Sequence, residues 1–306
     1  MKVRVGVIGV GYLGRHHARI YSELSDVHLV GVADPDTTAA GDIAGKYGCI
    51  STDDYRELIG RCDAVSIVTP TSTHHDIAVD CLRKGRDILV EKPITKRLEE
   101  AADILEEAQR RNLLLQVGHL ERYNPGVVAV SEMITDPRSI ECERLSPFLG
   151  RGIDVDVTLD LMIHDVDIVM SMVSSGLTYI RATGGSIATP NIDIAKAWLE
   201  FENGCTAVLS ASRLDQEKRR TLKVFQEDAY IALDYRNQRV VRHGKACGAS
   251  PEITAPDGRE PLREELEDFI HCVKTRERPR VSGDDAMRAL RTVLAISEAI
   301  RGGNPA

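Results

Sequence analysis

The hexapeptide Gly9-Val10-Gly11-Tyr12-Leu13-Gly14 constrains this chain more than any other segment. It stands directly after an apolar run and directly before a helical pattern. In that setting a G-x-G-x-x-G turn lets the backbone reverse tightly, approach a pyrophosphate and pack helix on strand, while the helix N-terminus aims its free N–H groups at the anion. Asp34 follows Gly14 by 20 residues, at the end of a second apolar run. A carboxylate there accepts from ribose hydroxyls and repels a 2′-phosphate. The following Pro35-Asp36-Thr37-Thr38 brings no Arg or Lys to neutralise one, so NAD is favoured over NADP.

Residues 1–120 alternate β-rich runs with amphipathic stretches. Strands are predicted at Val3–Gly9, Val27–Ala33, Ala64–Thr69, Asp87–Val90 and Leu113–Val117, separated by helices at Leu13–Leu24, Thr37–Tyr47, Asp54–Ile59, His74–Lys84 and Leu98–Arg111. The strands are continuously apolar, as in a parallel sheet covered on both faces, and the rhythm predicts a doubly wound α/β domain. After Asn124-Pro125 the rhythm changes. Helices at Val127–Ile134 and about Leu159–Met172 precede strands at Tyr179–Gly184, Ile194–Glu202, Thr206–Arg213, Thr221–Gln226, Ala229–Tyr235 and Arg239–His243. Asn203-Gly204 is a hairpin turn signal, and Ala195, Ala197, Leu199 and Phe201 alternate with polar neighbours. Residues 121–306 are therefore expected to form an α+β domain with a large, mostly antiparallel sheet. Helices at Leu262–Lys274 and Asp284–Ile300 close it, the last packing back on the first domain.

Composition narrows the function classes. The 306 residues carry a formal net charge of −8, which argues against nucleic acid or an anionic membrane as partner. Aromatics are only 4%, so recognition by stacking on rings is not the main mode. Seven cysteines, at 49, 62, 81, 142, 205, 247 and 272, form no Cys-x-x-Cys pair and read as reduced thiols of a cytoplasmic protein. Val5–Val10 after Lys2 and Arg4 is too short for a signal peptide and runs into the glycine cluster. No run reaches the roughly 20 apolar residues of a membrane span.

Two segments fall at the carboxyl ends of predicted strands, where ligands of open α/β sheets bind: Thr69-Pro70-Thr71-Ser72-Thr73-His74 and Glu91-Lys92-Pro93. In the second domain Asp160 and His164, four apart, share a helix face. That spacing suits an imidazole oriented by a carboxylate, or two metal ligands. The metal reading is the weaker, because Asp156, Asp165 and Asp167 lie on other faces and no second His is near. No metal is expected. With the glycine fingerprint and Asp34, these motifs resemble the Gfo/Idh/MocA oxidoreductases in order and spacing. The resemblance implies a Rossmann domain, a C-terminal sheet that supports the active site, and a homodimer or homotetramer. It implies cofactor contacts from Gly9, Gly11, Tyr12, Leu13, Gly14, Asp34, Pro35, Thr69, Pro70, Thr71, His74, Glu91 and Lys92, with the Lys92–Pro93 bond cis. It further implies His164 as acid/base for a sugar hydroxyl, Lys92 as the polarising cation and Asp160 as their positioner.

The run Gly118-His119-Leu120-Glu121-Arg122-Tyr123-Asn124-Pro125 enters the second domain, which places Arg122, Tyr123 and Asn124 at the interdomain cleft. It resembles the corresponding run of family members that act on nucleotide sugars, the UDP-N-acetylglucosamine 3-dehydrogenases, whose keto product an aminotransferase converts to a 3-amino sugar. The resemblance makes His119, Arg122, Tyr123, Asn124 and Arg213 substrate-binding candidates. Arg213 and the cluster Lys218, Arg219 and Arg220 could hold a diphosphate, or be simple strand-end charges. Three alternatives stand beside this: an inositol or free-sugar dehydrogenase, a redox-neutral lyase or epimerase with tightly held NAD, and a non-catalytic NAD-binding regulatory protein.

Overall fold

The computed structural model describes residues 2–148, 150, 155–245, 252–254 and 260–302. Cys247 lies outside them. The chain divides into two compact units, residues 1–120 with 260–287, and residues 121–259 with 288–306.

The first unit is built on β1 (Val3–Ile8), β2 (Val27–Ala33), β3 (Ile50–Thr52), β4 (Ala64–Ile67), β5 (Asp87–Glu91) and β6 (Leu115–Gly118). Their order is β3-β2-β1-β4-β5-β6, and every pairing is parallel. The direction of winding reverses between β1 and β4, so a crevice opens beyond their carboxyl ends. The helices of this unit are α1 (Gly14–Glu23), α2 (Thr37–Tyr47), α3 (Tyr55–Ile59), α4 (His74–Arg83) and α5 (Leu98–Arg111). A later helix, α8 (Pro261–Thr275), also belongs here. The sequence pattern keeps this helix in the second domain and expects the last helix to pack back on the first, whereas residues 260–287 belong to the first unit and 288–306 to the second. Leu262, Leu266, Phe269 and Ile270 share one apolar stripe of α8 and join Val3, Val5, Ile20 and Val27 in the core, which is why it returns.

The second unit carries the sheet β14-β13-β12-β11-β7-β10-β9-β8. In chain order these strands are β7 (Pro137–Leu145), β8 (Leu177–Gly185), β9 (Ile194–Phe201), β10 (Thr206–Ser212), β11 (Arg219–Gln226), β12 (Ala229–Asp234), β13 (Arg239–Gly244) and β14 (Glu252–Thr254). All pairings are antiparallel except β7 with β10. One face buries Ala195, Ala197, Leu199, Leu209, Ile140, Leu222, Val224 and Ile231. Against the sheet lie α6 (Pro125–Met133), beside β12 and β13, and α7 (Ile163–Met172), beside β7 and β10. The last helix, α9 (Gly283–Gly302), belongs mostly to this unit. Among the described residues no helix is long and apolar enough to cross a membrane.

Candidate functional site

The glycine turn joins β1 to α1, and its three glycines meet different constraints. Gly9 has φ +91°, and a Cβ there would sit 2.4 Å from the Val68 carbonyl oxygen. At Gly14 a Cβ would lie 1.9 Å from the Gly9 oxygen, so no side chain fits. Around Gly11 there is open space, which leaves its backbone approachable. The N–H groups of Tyr12, Leu13 and Gly14 have no acceptor among the described residues. No acidic residue stands in the first turn of α1, so the positive end of the helix is unopposed. Tyr12 is 80% exposed, and Leu13 packs partly against the core. This cradle fits a pyrophosphate.

Asp34 directly follows β2, its carboxylate fixed by the Val10 N–H at 2.8 Å and the Asp36 N–H at 2.9 Å. It lines a cavity of about 790 Å³ together with Gly9, Gly11, Pro35, Thr69 and Pro70. Asp53, Tyr55 and Arg56 also line it, and sequence reasoning missed them. They sit at the start of α3, where the sequence shows only a polar turn. Arg56 stacks 4.7 Å from the Tyr55 ring centroid and lies 3.5 Å from Asp54 and 3.4 Å from Asp80. Its charge is thus partly matched within the fold.

The Thr69–His74 segment is tied to the Glu91–Pro93 segment from behind. His74 is buried, with Nδ1 3.0 Å from the Pro93 carbonyl oxygen and Nε2 2.9 Å from that of Thr69. Burial lowers its pKa against the opposing pull of those carbonyls. His74 therefore braces two loops, and Thr69, Pro70 and Thr71 are the more accessible members of that group. Glu91 closes β5, buried, 3.2 Å from His17 Nε2. Gly118 makes room for it: a Cβ there would come within 2.8 Å of the carboxylate. Lys92 is half-buried and the Lys92–Pro93 peptide is cis. From α8, Glu265 brings a second, fully buried carboxyl toward Glu91, and neither of its oxygens has a hydrogen-bond partner among the described residues. Burial, and then the charge of Glu91, raises its pKa well above the usual carboxylate range.

In the second unit Asp160 lies in a π-helical turn, Thr158–Met162, in which the Ile163 N–H reaches the Thr158 carbonyl. His164 follows in the first turn of α7, and both side chains are half-buried. Such a wide turn is often found at functional sites. Here it is anchored on three sides. Thr158 Oγ1 is 2.6 Å from Ser297 Oγ, Asp156 is 2.5 Å from Arg301, and Asp165 takes the fully buried Arg144 at 2.7 Å. Arg144 also reaches Glu121 at 2.9 Å.

The remaining candidates divide by placement. His119 is buried at the end of β6 in the first unit, and Tyr123 is 2% exposed. Arg122 stands 3.5 Å from Asp167. Asn124 caps α6 through the Gly126 N–H and donates to Glu121 at 3.1 Å. Arg213 is buried and donates to the Val155 carbonyl at 2.8 Å. Lys218 and Arg219 are exposed, while Arg220 is half-buried, 3.2 Å from Glu121.

Residues 3–119 match the NAD-binding Rossmann fold of the Gfo/Idh/MocA oxidoreductases, and residues 133–232 match the C-terminal domain of the same family. The chain belongs to the Gfo/Idh/MocA oxidoreductase family. It is 35% identical to the UDP-N-acetylglucosamine 3-dehydrogenase of Acidithiobacillus ferrooxidans, over 97% of each chain. A solved structure of that enzyme, GnnA, superposes with a TM-score of 0.94 at 34% identity and 99% coverage of both chains. The inositol 2-dehydrogenase of Rhizobium meliloti is 30% identical over 95% of this chain and 94% of its own. As a member of the Gfo/Idh/MocA family the chain is an oxidoreductase with an NAD-binding Rossmann domain and a mostly antiparallel C-terminal sheet domain.

Proposed function

We propose that this chain oxidises the C3 hydroxyl of UDP-N-acetylglucosamine to the 3-keto nucleotide sugar with NAD as hydride acceptor. The observation that carries the reading is the near-full-length match to an enzyme of that name. NAD rather than NADP is supported by Asp34, whose two carboxylate oxygens each accept a backbone N–H, and by Arg56, whose carboxylate neighbours compete with a 2′-phosphate. The cofactor would be held by the Gly9–Gly14 turn with Tyr12 and Leu13, by Asp34 and Pro35, and by Thr69, Pro70, Thr71, Glu91 and Lys92. Bound there, it supplies the hydride acceptor.

A secondary alcohol releases hydride only as its O–H proton leaves, so a base within hydrogen-bond reach is needed. His164 takes that proton. Asp160, one turn earlier, orients the imidazole and stabilises its charged form. The Lys92 ammonium stabilises alkoxide charge as it develops. Arg122, Asn124 and neighbouring side chains bind the sugar. The ketone product is consumed by an aminotransferase acting on the same nucleotide sugar. The enzyme works in the cytoplasm, consistent with the free thiols of Cys49, Cys62, Cys81, Cys142, Cys205 and Cys272.

The test is NADH formation at 340 nm with UDP-N-acetylglucosamine and NAD, with the ketone trapped by glutamate and an aminotransferase. NADH and a 3-amino sugar support the proposal. Silence with that substrate, but turnover of myo- or scyllo-inositol, would transfer the assignment to the reading favoured by the inositol dehydrogenase relative.

A further inference from the structure

Strand β7 turns Ile140, Cys142 and Arg144 to the buried face of its sheet. On the neighbouring β11, Val224 stands opposite Ile140, Leu222 opposite Cys142 and Arg220 opposite Arg144. Two apolar pairs are thus followed by two arginines, and like charges directly opposite one another destabilise a sheet. Arg144 is 1% exposed, and on its other side β10 places Ala211. A third apolar pair would pack here without that repulsion. Replacing a buried ion cluster by apolar side chains of similar volume is often neutral or stabilising, so stability alone does not account for this arginine.

Its contacts are more specific. Arg144 Nε lies 3.1 Å from each oxygen of Asp165, and Nη2 lies 2.7 Å from Oδ1. Nη1 donates to Glu121 at 2.9 Å. The two carboxylates belong to segments with different tasks in the reaction proposed above. Asp165 stands in the first turn of α7, directly after His164. Glu121 opens the segment that carries Arg122 and Asn124, and it accepts from the Asn124 amide at 3.1 Å. A second tie runs beside the first, because Arg122 lies 3.5 Å from Asp167, also on α7. A planar guanidinium donates in two directions at once, whereas a lysine is a point charge. Burial raises the pKa of Asp165 against the pull of Arg144, so the clamp depends on that arginine's charge.

We propose that Arg144 is a positioning residue for the oxidation, holding the His164 turn of α7 in a fixed place against the segment Glu121–Asn124. This rests on the reading of His164 as base and of that segment as sugar-binding. The hydroxyl proton leaves only to a base within hydrogen-bond reach, and a misplacement of about 1 Å can cost about 10²-fold in rate. One arginine that grips both segments supplies that precision.

The double variant Arg144→Met/Asp165→Leu removes the fork together with the carboxylate it neutralises. It leaves Glu121 to Arg220 at 3.2 Å and to Asn124. UDP-N-acetylglucosamine kinetics, NAD affinity by calorimetry and Tm are measured beside the wild type. Expected are a kcat lowered about tenfold to 10²-fold, KM and NAD affinity within threefold, and a Tm close to that of the wild type. Arg144→Lys keeps the cation on one carboxylate, and it should fold without recovering kcat. A kcat within threefold of wild type in either folded variant overturns the inference. So does a loss carried by KM instead of kcat, and failure of both variants to fold would assign Arg144 to stability alone. The imidazole resonances of His164, identified by their absence from His164→Ala, give a readout free of substrate. They should shift in both variants, while those of His28 and His271 in the first unit stay in place. A wild type silent with UDP-N-acetylglucosamine overturns the substrate reading, and the resonances then decide the role of Arg144: unshifted His164 signals overturn it.

Discussion

His164 and Asp34 carry separate halves of the proposed reaction, so substitutions at the two positions should read out differently. If His164 removes the hydroxyl proton, His164→Ala lowers kcat by about 10²–10⁴. It should leave NAD affinity within error by calorimetry, because no residue of the glycine cradle lies in that unit. A kcat within threefold of wild type would remove His164 from the mechanism. Asp34→Ser acts at the other end. It deletes an acceptor for ribose hydroxyls and a repulsive charge against a 2′-phosphate. NAD should bind about tenfold more weakly, since a charge-assisted hydrogen bond contributes about 1.5–3 kcal/mol, while NADP should bind more tightly. Parallel titrations with both cofactors check it. Unchanged discrimination would show that the adenosine end is selected elsewhere, with Arg56 the next residue to substitute.

At the scale of elements, α8 buries Glu265 beside Glu91, with Asp268, His17 and Tyr21 as further ionisable groups of that neighbourhood. With its folded pKa raised above the unfolded value, Glu265 keeps its proton in the native state at pH values where the unfolded chain has lost it. The unfolded state then binds fewer protons, so stability falls as pH rises from the unfolded carboxyl pKa toward the folded one, by at most about 1.4 kcal/mol per pH unit. Glu265→Gln keeps the shape and removes the titration. Its Tm should exceed the wild-type value at pH 8, and the gap should close near pH 4.5; a gap independent of pH would refute the shift. The same element shows where the sequence was silent. The glycine turn, Asp34, the parallel strands and the inward alanines of β9 were legible because each follows a local rule of spacing or alternation. The return of α8 to the first unit was not, because an amphipathic stripe does not say which core it meets. Strand β7 was also invisible. It opens on Pro137 and carries Glu141, Glu143 and Arg144, and Arg144 points inward only because Asp165 and Glu121, distant in sequence, receive it. Tyr55 and Arg56 were missed for a related reason: a short polar helix lines the cavity through tertiary placement alone.

For the whole molecule, the outward face of the eight-stranded sheet bears on the state of assembly. Register places Tyr179, Trp198, Phe225 and Tyr230 on the face opposite the buried alanines and leucines, with Phe225 53% and Trp198 41% exposed. Four of the exposed large apolar side chains thus share one surface, on a protein with only 13 aromatic residues (four Phe, eight Tyr and one Trp). Large apolar side chains left exposed together on one sheet face suit an interaction surface. Lys223 on β11 and Glu141 on β7 pair at 3.2 Å on the same face, and β7 stands between the strands of the Phe225–Tyr230 and Trp198–Tyr179 pairs. We therefore expect a homodimer or homotetramer assembled through this sheet. Trp198→Glu with Phe225→Glu places two carboxylates in the centre of such a contact, where desolvation without a partner is prohibitive. Sedimentation velocity at micromolar concentration should show the wild type as a dimer or tetramer and the double variant as a monomer. The wild-type Tm should rise with protein concentration and that of the variant should not, because association stabilises by mass action. A wild type that sediments as a monomer throughout that range would leave the aromatic face without this role.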